Sequence, residues 1–274
     1  LDEPVFRQDH HDGVVDVTVE VMTQLGSDCD IYVTLDGKRT KAQDGEVTIT
    51  VETPKLWWVR GYGDQPLYEV LVELVCGGVV IDRKVKRIGL RTLTVSTQKD
   101  ADKKGSEFCF VINGVKIFSM GANYIPMDNL LSRVTGQRLR DHIQWALDAN
   151  FNTLRVWGGG YYPEDTFFDL CDEYGIMVWQ DFMVACANIW FTDGMKEEFT
   201  LEARDNLLRL NHHPSLALLC GNNEMEDFVD KGEWVSCHRQ KADYIKMYEY
   251  VIPKVLKTED PQAFYWPASP SSGG

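Results

Sequence analysis

The sequence predicts a multidomain β and α/β protein, an immunoglobulin-like β-sandwich followed by a parallel sheet covered with helices. Three observations carry this. The first hundred residues are short β-branched runs cut by Asp-Gly and Gly-Gly turns. The rest alternates apolar strands with amphipathic helices. At 274 residues the chain is also long for one domain, and its 44% hydrophobic content can fill more than one core. The expected division is a sandwich over residues 1–98 and an α/β part over residues 99–274.

In the first part, Val14 to Val21 alternates apolar and polar side chains, with Val15, Val17, Val19 and Val21 on one face. Ile31 to Leu35 closes on Asp36-Gly37, a favoured tight-turn dipeptide. Asp44-Gly45 precedes Val47 to Val51. Leu67 to Val75 and Val79 to Val85 flank Gly77-Gly78 as a hairpin. No helical period interrupts these runs, so an antiparallel sandwich is the economical reading.

Lys99 to Lys104 is a charged connector, and the pattern changes after it. Lys116 to Met120 reads as a strand. Gln137 to Ala149 reads as a helix, with Leu139, Ile143, Ala146 and Leu147 at helical spacing. Thr153 to Val156 is the next strand. Glu164 to Tyr174 is a helix behind Pro163 and is stopped by Gly175. Ile176 to Trp179, a helix over Lys196 to Leu210, Leu216 to Leu219, and a helix over Tyr244 to Leu256 broken near Pro253 follow. Phe264 to Trp266 starts a fifth strand.

Repeated β-then-α units with strands apolar on both faces mean a parallel sheet, either doubly wound or a (β/α)8 TIM barrel. A whole barrel needs about 250 residues. The stretch after the sandwich holds little more than half of one, and Pro270 to Gly274 has loop composition. A partial barrel in a truncated chain is therefore expected. Leu1-Asp2-Glu3-Pro4 likewise reads as a cut inside a longer chain, which makes a missing signal peptide uninformative.

A net charge of −14 repels phosphate backbones, so nucleic acid is not expected as a partner. No apolar run reaches the roughly 18 residues of a membrane span, and no membrane partner is expected. The seven cysteines form no C-x-x-C pair and mostly sit in apolar contexts. Buried free thiols in a reducing compartment are expected, hence a cytoplasmic location. The sequence does not fix an oligomeric state.

In a barrel, functional side chains leave the C-terminal ends of the strands. Those exits read Gly121-Ala122-Asn123-Tyr124, Trp157-Gly158-Gly159-Gly160, Trp179-Gln180-Asp181-Phe182 and Gly221-Asn222-Asn223-Glu224. Asn, Trp, Asp, Asn and Glu on one rim suit a neutral polyol: an aromatic platform for its apolar face, amides and carboxylates for its hydroxyls. Gly158 to Gly160 lacks both G-x-G-x-x-G spacing and a following Lys-Ser/Thr, so it reads as room for a ligand beside Trp157. His212-His213 cannot both face one ion on a helix and read as caps of the preceding helix. Glu197-Glu198 and Glu226-Asp227 read as solvated helix starts. Glu224 is the strongest candidate. Partial desolvation there raises a carboxyl pKa toward what a general acid needs. The same position also suits an acid that caps the next helix.

At these residues the chain resembles the β-mannosidases of glycoside hydrolase family 2. Asn150 to Gly160 is similar to the family's second barrel strand, Leu170 to Met183 to its third, and His213 to Glu224 to its fourth with the acid/base. Leu56-Trp57-Trp58, Gly61 to Tyr68 and Arg87 to Thr92 resemble the sandwich domain that precedes the barrel, where the Trp pair reads as core and interface packing. The resemblance implies a retaining glycosidase that removes terminal non-reducing β-D-mannose from a β-mannoside or manno-oligosaccharide, with no metal and no organic cofactor. It implies Glu224 as acid/base, Asn223 as ligand of the hydroxyl on the sugar's second carbon, and Trp157 and Asp181 as lining the subsite for the terminal mannose; Asn123 is read as substrate-binding from its strand exit on the same rim. The family's nucleophile, at the end of the seventh strand, falls beyond residue 274, and its N-terminal jelly roll is not in this sequence. Tyr161-Tyr162-Pro163 and Asn188-Ile189 depart from the common pattern in loops that shape the leaving-group side. The alternatives are another family 2 specificity (galactosidase, glucuronidase or exo-glucosaminidase) and a non-catalytic carbohydrate-binding protein. An open half-barrel, with uncovered edges and helix faces, is also expected to dissolve poorly alone.

Overall fold

Seven strands build the first unit of the computed structural model, which describes residues 1–24, 29–102 and 104–271. They are β1 (Val5–His11), β2 (Val14–Glu20), β3 (Cys29–Leu35), β4 (Lys38–Lys41), β5 (Glu46–Val51), β6 (Tyr68–Cys76) and β7 (Val79–Ile88). One antiparallel sheet has the order β1-β2-β5, the other β4-β3-β6-β7. The period of two predicted from the valines holds. Val15, Val17 and Val19 of β2 are buried against Val33 of β3 and Val70 and Val72 of β6 in one core. Each such side chain contributes about 1.5–3 kcal/mol by leaving water. β1 and β4 carry no such signal and were not expected. β4, Lys38 to Lys41, is exposed throughout and guards an edge with charge.

Cys29 and Cys76 stand opposite each other in the β3–β6 ladder and are disulfide-bonded. This corrects the reading of every cysteine as a free thiol: a cross-strand register placed two of them side by side, which spacing in sequence does not reveal. Of the unpaired cysteines, Cys171 and Cys220 are buried, but Cys186 and Cys237 are exposed. The thiol argument for a cytoplasmic location therefore rests on a mixed set.

A small antiparallel sheet follows, β8 (Leu93–Ser96), β9 (Cys109–Ile112) and β10 (Val115–Ile117), in the order β10-β9-β8. β8 pairs with β9 across the boundary expected at residue 98. The strand expected over Lys116 to Met120 is thus divided. Its first residues end β10, and the parallel sheet begins only at β11 (Gly121–Tyr124). Gly121 permits this, because a Cβ there would meet the Thr153 carbonyl oxygen at 1.7 Å.

The parallel sheet runs β11, β12 (Thr153–Val156), β13 (Met177–Asp181), β14 (Leu216–Cys220) and β15 (Tyr265–Trp266), each beside the next. Helices α1 (Gly136–Asp148), α2 (Asp165–Tyr174) and α3 (Asp193–Leu210) connect the first four strands. α1 buries Leu139, Ile143, Ala146 and Leu147, the predicted stripe. Gly175 ends α2 at φ 72°, and a Cβ there would also meet the Arg60 nitrogen at 2.6 Å. Between β14 and β15 lie α4 (Met225–Lys231), α5 (His238–Ile245) and α6 (Ile252–Glu259), where one helix over Tyr244 to Leu256, broken near Pro253, was expected. The predicted break near Pro253 is a π-helical turn over residues 246–251. Tyr265 Oη donates to the Tyr248 carbonyl (2.7 Å) inside it, giving that oxygen a partner outside the helix.

The two faces of the sheet differ. Leu154, Val156, Val178, Leu216 and Leu219 pack under the helices. Met177, Leu218 and Cys220 share the other core with Trp57, Phe110 and Ile112. Trp57 is fully buried, and its Nε1 donates to the Asp172 carbonyl (2.8 Å), which matches the packing role expected of it. Arg91 donates to the Pro214 and Leu216 carbonyls, and Arg87 pairs with Asp169 and Glu173. These bonds tie the sandwich to the base of the parallel sheet. A cavity of about 280 Å³, lined by Gln8, Arg91, His212 and Asp260, lies in that junction. Among the described residues, no helix is long and apolar enough to cross a membrane. Ser272 to Gly274 and Lys103 of the connector lie outside the described residues.

Candidate active site

A charged side chain in the middle of a buried strand needs partners, and Arg155 of β12 has three. Its Nη2 donates to Asp181 Oδ2 (2.7 Å) and Asn223 Oδ1 (2.8 Å), and its Nη1 to Asn123 Oδ1 (3.2 Å). Three of the predicted site residues therefore converge on one guanidinium that was not itself predicted. A lone Arg between Leu154 and Val156 was the available signal. Asn123 lies within β11 rather than in the loop after it, in register with Arg155 and then Trp179.

Asp181 ends β13 and is fully buried. Besides Arg155 it accepts from Trp179 Nε1 (2.9 Å) and from the Gly158 backbone (3.0 Å), with Arg155 Nε on Oδ1 at 3.3 Å. These four donors occupy the capacity of a carboxylate. Burial still pushes its carboxyl above the usual range, outweighing Arg155 and the other donors. Asp181 thus has no exposed surface for a sugar; it orients Arg155 and holds the turn after β12.

Trp157 is half-buried in that turn. The glycines beside it are not open space for a ligand, as was expected. A Cβ on Gly159 would meet the Trp157 ring at 1.9 Å, and one on Gly158 would meet the Phe182 and Val184 carbonyl oxygens at 2.6 and 2.8 Å. Both glycines are required by packing within the chain.

After β14, Asn222 is fully buried, and its Oδ1 accepts from the Met225 nitrogen (3.0 Å). This amide satisfies the first turn of α4. Glu224 occupies the N-cap position, yet its side chain makes no capping bond. The capping reading of Glu224 is thereby excluded. Its backbone is left-handed (φ 65°), fixed by its nitrogen donating to the Ser269 carbonyl (2.9 Å). Its carboxylate accepts from Cys186 Sγ (3.7 Å), and Cys186 Sγ accepts from Asn223 Nδ2 (3.6 Å). The carboxyl is exposed, so the expected desolvation is absent in this chain. Phe108 packs on Trp179 (6.0 Å) and Trp266 (5.0 Å), an aromatic cluster that reaches the Arg155 guanidinium through the Trp179 ring (5.8 Å).

The remaining polar motifs are structural. His212 sits on the Arg209 carbonyl at the end of α3, as a cap should, and burial drives its pKa down to about 2. His213 does something else: its Nδ1 pairs with Asp172 Oδ2 (2.6 Å) in the buried junction. Asp169, Asp172 and His213 cluster closely enough to hold an ion. Each is already engaged, Asp169 by Arg87, and Asp172 by His213 and the Ser215 nitrogen. Of the acidic pairs, Asp227 bonds Lys231, while Glu226 reaches Tyr244 and Ser271.

An Arg, two amides, an exposed carboxylate and indole rings can grip hydroxyls and exchange a proton with a glycosidic oxygen. The model for glycosyl hydrolases family 2 matches residues 3–91. β-Mannosidase B of Aspergillus clavatus is 40% identical over 247 residues, covering 85% of this chain and 29% of that protein. β-Mannosidase B of Emericella nidulans is 38% identical over 291 residues, covering 98% and 34%. The crystal structure of the β-D-mannosidase from Dictyoglomus thermophilum superposes with a TM-score of 0.84 at 34% identity, covering 98% and 34%. The chain spans about a third of the length of the curated relatives it matches. The sandwich lies under the model for glycosyl hydrolases family 2, and the rim lies inside alignments to β-mannosidases that run almost from end to end of this chain.

Proposed function

We propose that the protein containing this chain is a retaining exo-β-mannosidase that removes terminal non-reducing β-D-mannose. Residues 1–98 form its immunoglobulin-like domain and residues 99–274 the first half of a (β/α)8 catalytic barrel. The order β11 to β15, all parallel and joined mostly through helices, supports the half-barrel. The named similarity to β-mannosidases supports the sugar.

The observation that carries the reading is the position of Glu224. It leaves the end of β14 exposed toward the rim, one residue after an Asn held by Arg155. Its carboxyl would deliver a proton to the leaving oxygen while a second carboxylate attacks the anomeric carbon from about 5–5.5 Å. Glu224 would then take a proton from the water that releases the sugar. The nucleophile, and the strands that would close over Glu224 and desolvate it, belong to the parent chain beyond residue 274. Arg155 would hold Asn223 and Asn123 where they meet the mannose hydroxyls, with Trp157 beside them.

The test is Glu224→Gln in the full-length protein. Turnover of mannobiose should fall by about 10²–10⁴-fold, the worth of general acid–base catalysis. Activated aryl mannosides should form the glycosyl-enzyme, and azide should rescue its release. Unchanged mannobiose turnover would remove the assignment. A panel of aryl β-mannosides, β-galactosides, β-glucuronides and β-glucosaminides checks the sugar, and preference for any other one overturns that part.

A further inference from the structure

We propose that Cys186 is a positioning residue for the acid/base, coupling the grip on the sugar to the orientation of the proton donor. The inference rests on the reading of Glu224 just given and extends it to a residue the rim motifs do not contain.

Two of the rim's non-glycine residues have left-handed backbones, Cys186 (φ 54°) and Glu224 (φ 65°). Such conformations cost on the order of 1 kcal/mol or more and persist only where the surroundings impose them. Here the surroundings are neighbouring loops: the Ser269 carbonyl holds the Glu224 nitrogen, and the residues after β14 hold Cys186. Ala185 and Asn223 form a parallel bridge, the Asn223 nitrogen donates to the Val184 carbonyl (3.0 Å), and the Cys186 nitrogen donates to the Asn223 carbonyl (3.4 Å). This stitching brings the loop after β13 against the residues after β14.

The thiol sits at the centre of that contact. It accepts from Asn223 Nδ2 at 3.6 Å and donates to Glu224 Oε2 at 3.7 Å. A thiol is one of few side chains small enough to do both, since it offers a weak donor and a weak acceptor on one atom. Packing does not explain it. Cysteines that serve as small hydrophobes are buried, as Cys171 and Cys220 are, whereas Cys186 is exposed. The arrangement engages Oε2, so that Oε1 would be the oxygen offered to the leaving group. Because Asn223 is also held by Arg155 (2.8 Å), a sugar that draws on Asn223 acts on the carboxylate through one sulfur atom.

The experiment uses the full-length enzyme, with mannobiose, whose departure needs a proton, and 2,4-dinitrophenyl β-mannoside, whose departure does not. Cys186→Ala is expected to lower kcat/KM on mannobiose about tenfold, a fraction of what general acid catalysis contributes. On the dinitrophenyl substrate the loss should stay within about twofold. Cys186→Ser, which keeps a donor and acceptor on one atom, should recover most of the mannobiose activity. Reversible methylthiolation of the folded wild-type enzyme supplies a route that does not depend on folding the variant. It should give the same selective loss, absent when Cys186→Ser is treated. Equal losses on both substrates, no loss on mannobiose, or a serine variant no better than alanine would overturn the proposal. Glu224→Gln run in parallel separates the two ideas. If it leaves mannobiose turnover intact, the acid/base assignment fails. If it abolishes turnover while Cys186→Ala is silent, only the present inference fails.

Discussion

Arg155 and Asp181 form an ion pair at 2.7 Å in which the carboxylate is fully buried and the Arg side chain is 18% exposed. Removing one partner from such a pair strands a buried charge, which costs roughly 3–5 kcal/mol, whereas removing both costs much less. Arg155→Met should therefore destabilise the folded chain by about 3 kcal/mol near neutral pH. Its deficit should shrink as pH falls, because burial already pushes Asp181 up and protonation removes the stranded charge. Arg155→Met with Asp181→Leu should be less destabilised than the sum of the single changes. Urea unfolding of the four proteins closes the cycle, and strict additivity would mean the pair is not coupled.

That guanidinium also marks where sequence reading stops. α1 and β2 were legible because each buries one periodic face, four residues in the helix and three valines in the strand. β1 was missed because Arg7, Gln8, Asp9 and His10 mask its alternation, and Phe6 is its one fully buried side chain. β11 was displaced because Gly121-Ala122-Asn123-Tyr124 carries no β-branched residue; its partner β12 makes it a strand. The convergence of Asn123, Asp181 and Asn223 was legible from the βα order, which brings strand ends to one rim. Arg155 and Cys186 were not, since their roles depend on register and on a loop-to-loop bridge.

Gly158 sets the turn that Asp181 holds. A Cβ at this position would come within 2.6 and 2.8 Å of two backbone carbonyl oxygens, and backbone cannot step aside as a flexible side chain can. Gly158→Ala should therefore push the turn off Asp181, break the 3.0 Å bond from its nitrogen, and cost about 1–3 kcal/mol. The melting temperature should fall by several degrees, at about 2–4 °C per kcal/mol for a domain of this size. Gly136→Ala, with nothing within 4 Å of the added carbon, is the control and should be neutral or stabilising. An unchanged melt for Gly158→Ala would show that the turn is not fixed by this contact.

The Cys29–Cys76 bridge spans 47 residues of the sandwich. Closing a loop of that length restricts the unfolded chain by about 4 kcal/mol in the chain-entropy model. Cys29→Ser with Cys76→Ser should lower the denaturant midpoint of the sandwich accordingly, and added reductant should shift the wild type but not the double variant. The rim should be indifferent, because neither cysteine contacts the parallel sheet's core. Equal midpoints for the wild type with and without reductant would contradict the bridge's contribution.

Asp260 and His212 line the same junction cavity and titrate in opposite senses. Burial raises Asp260 to about 6, with Arg91 and the Gln262 and Ala263 backbone opposing. Its folded form binds a proton more tightly than the unfolded chain does. Its contribution is therefore fully present below about pH 3.8 and is lost as pH rises through about 6. Burial lowers His212 to about 2, helped by His213 and Lys86. There the unfolded chain takes the proton first, so the contribution is present above about pH 6.5 and drains away as pH falls toward 2. Arg91, itself lowered to about 10 by burial, stays charged across both windows. Asp260→Asn should consequently gain stability relative to the wild type on going from pH 4.5 to pH 7.5. His212→Gln should gain it on going the other way, each by on the order of 2 kcal/mol. Urea midpoints at the two pH values decide this, and variants whose differences from the wild type ignore pH would show that neither group titrates in the junction.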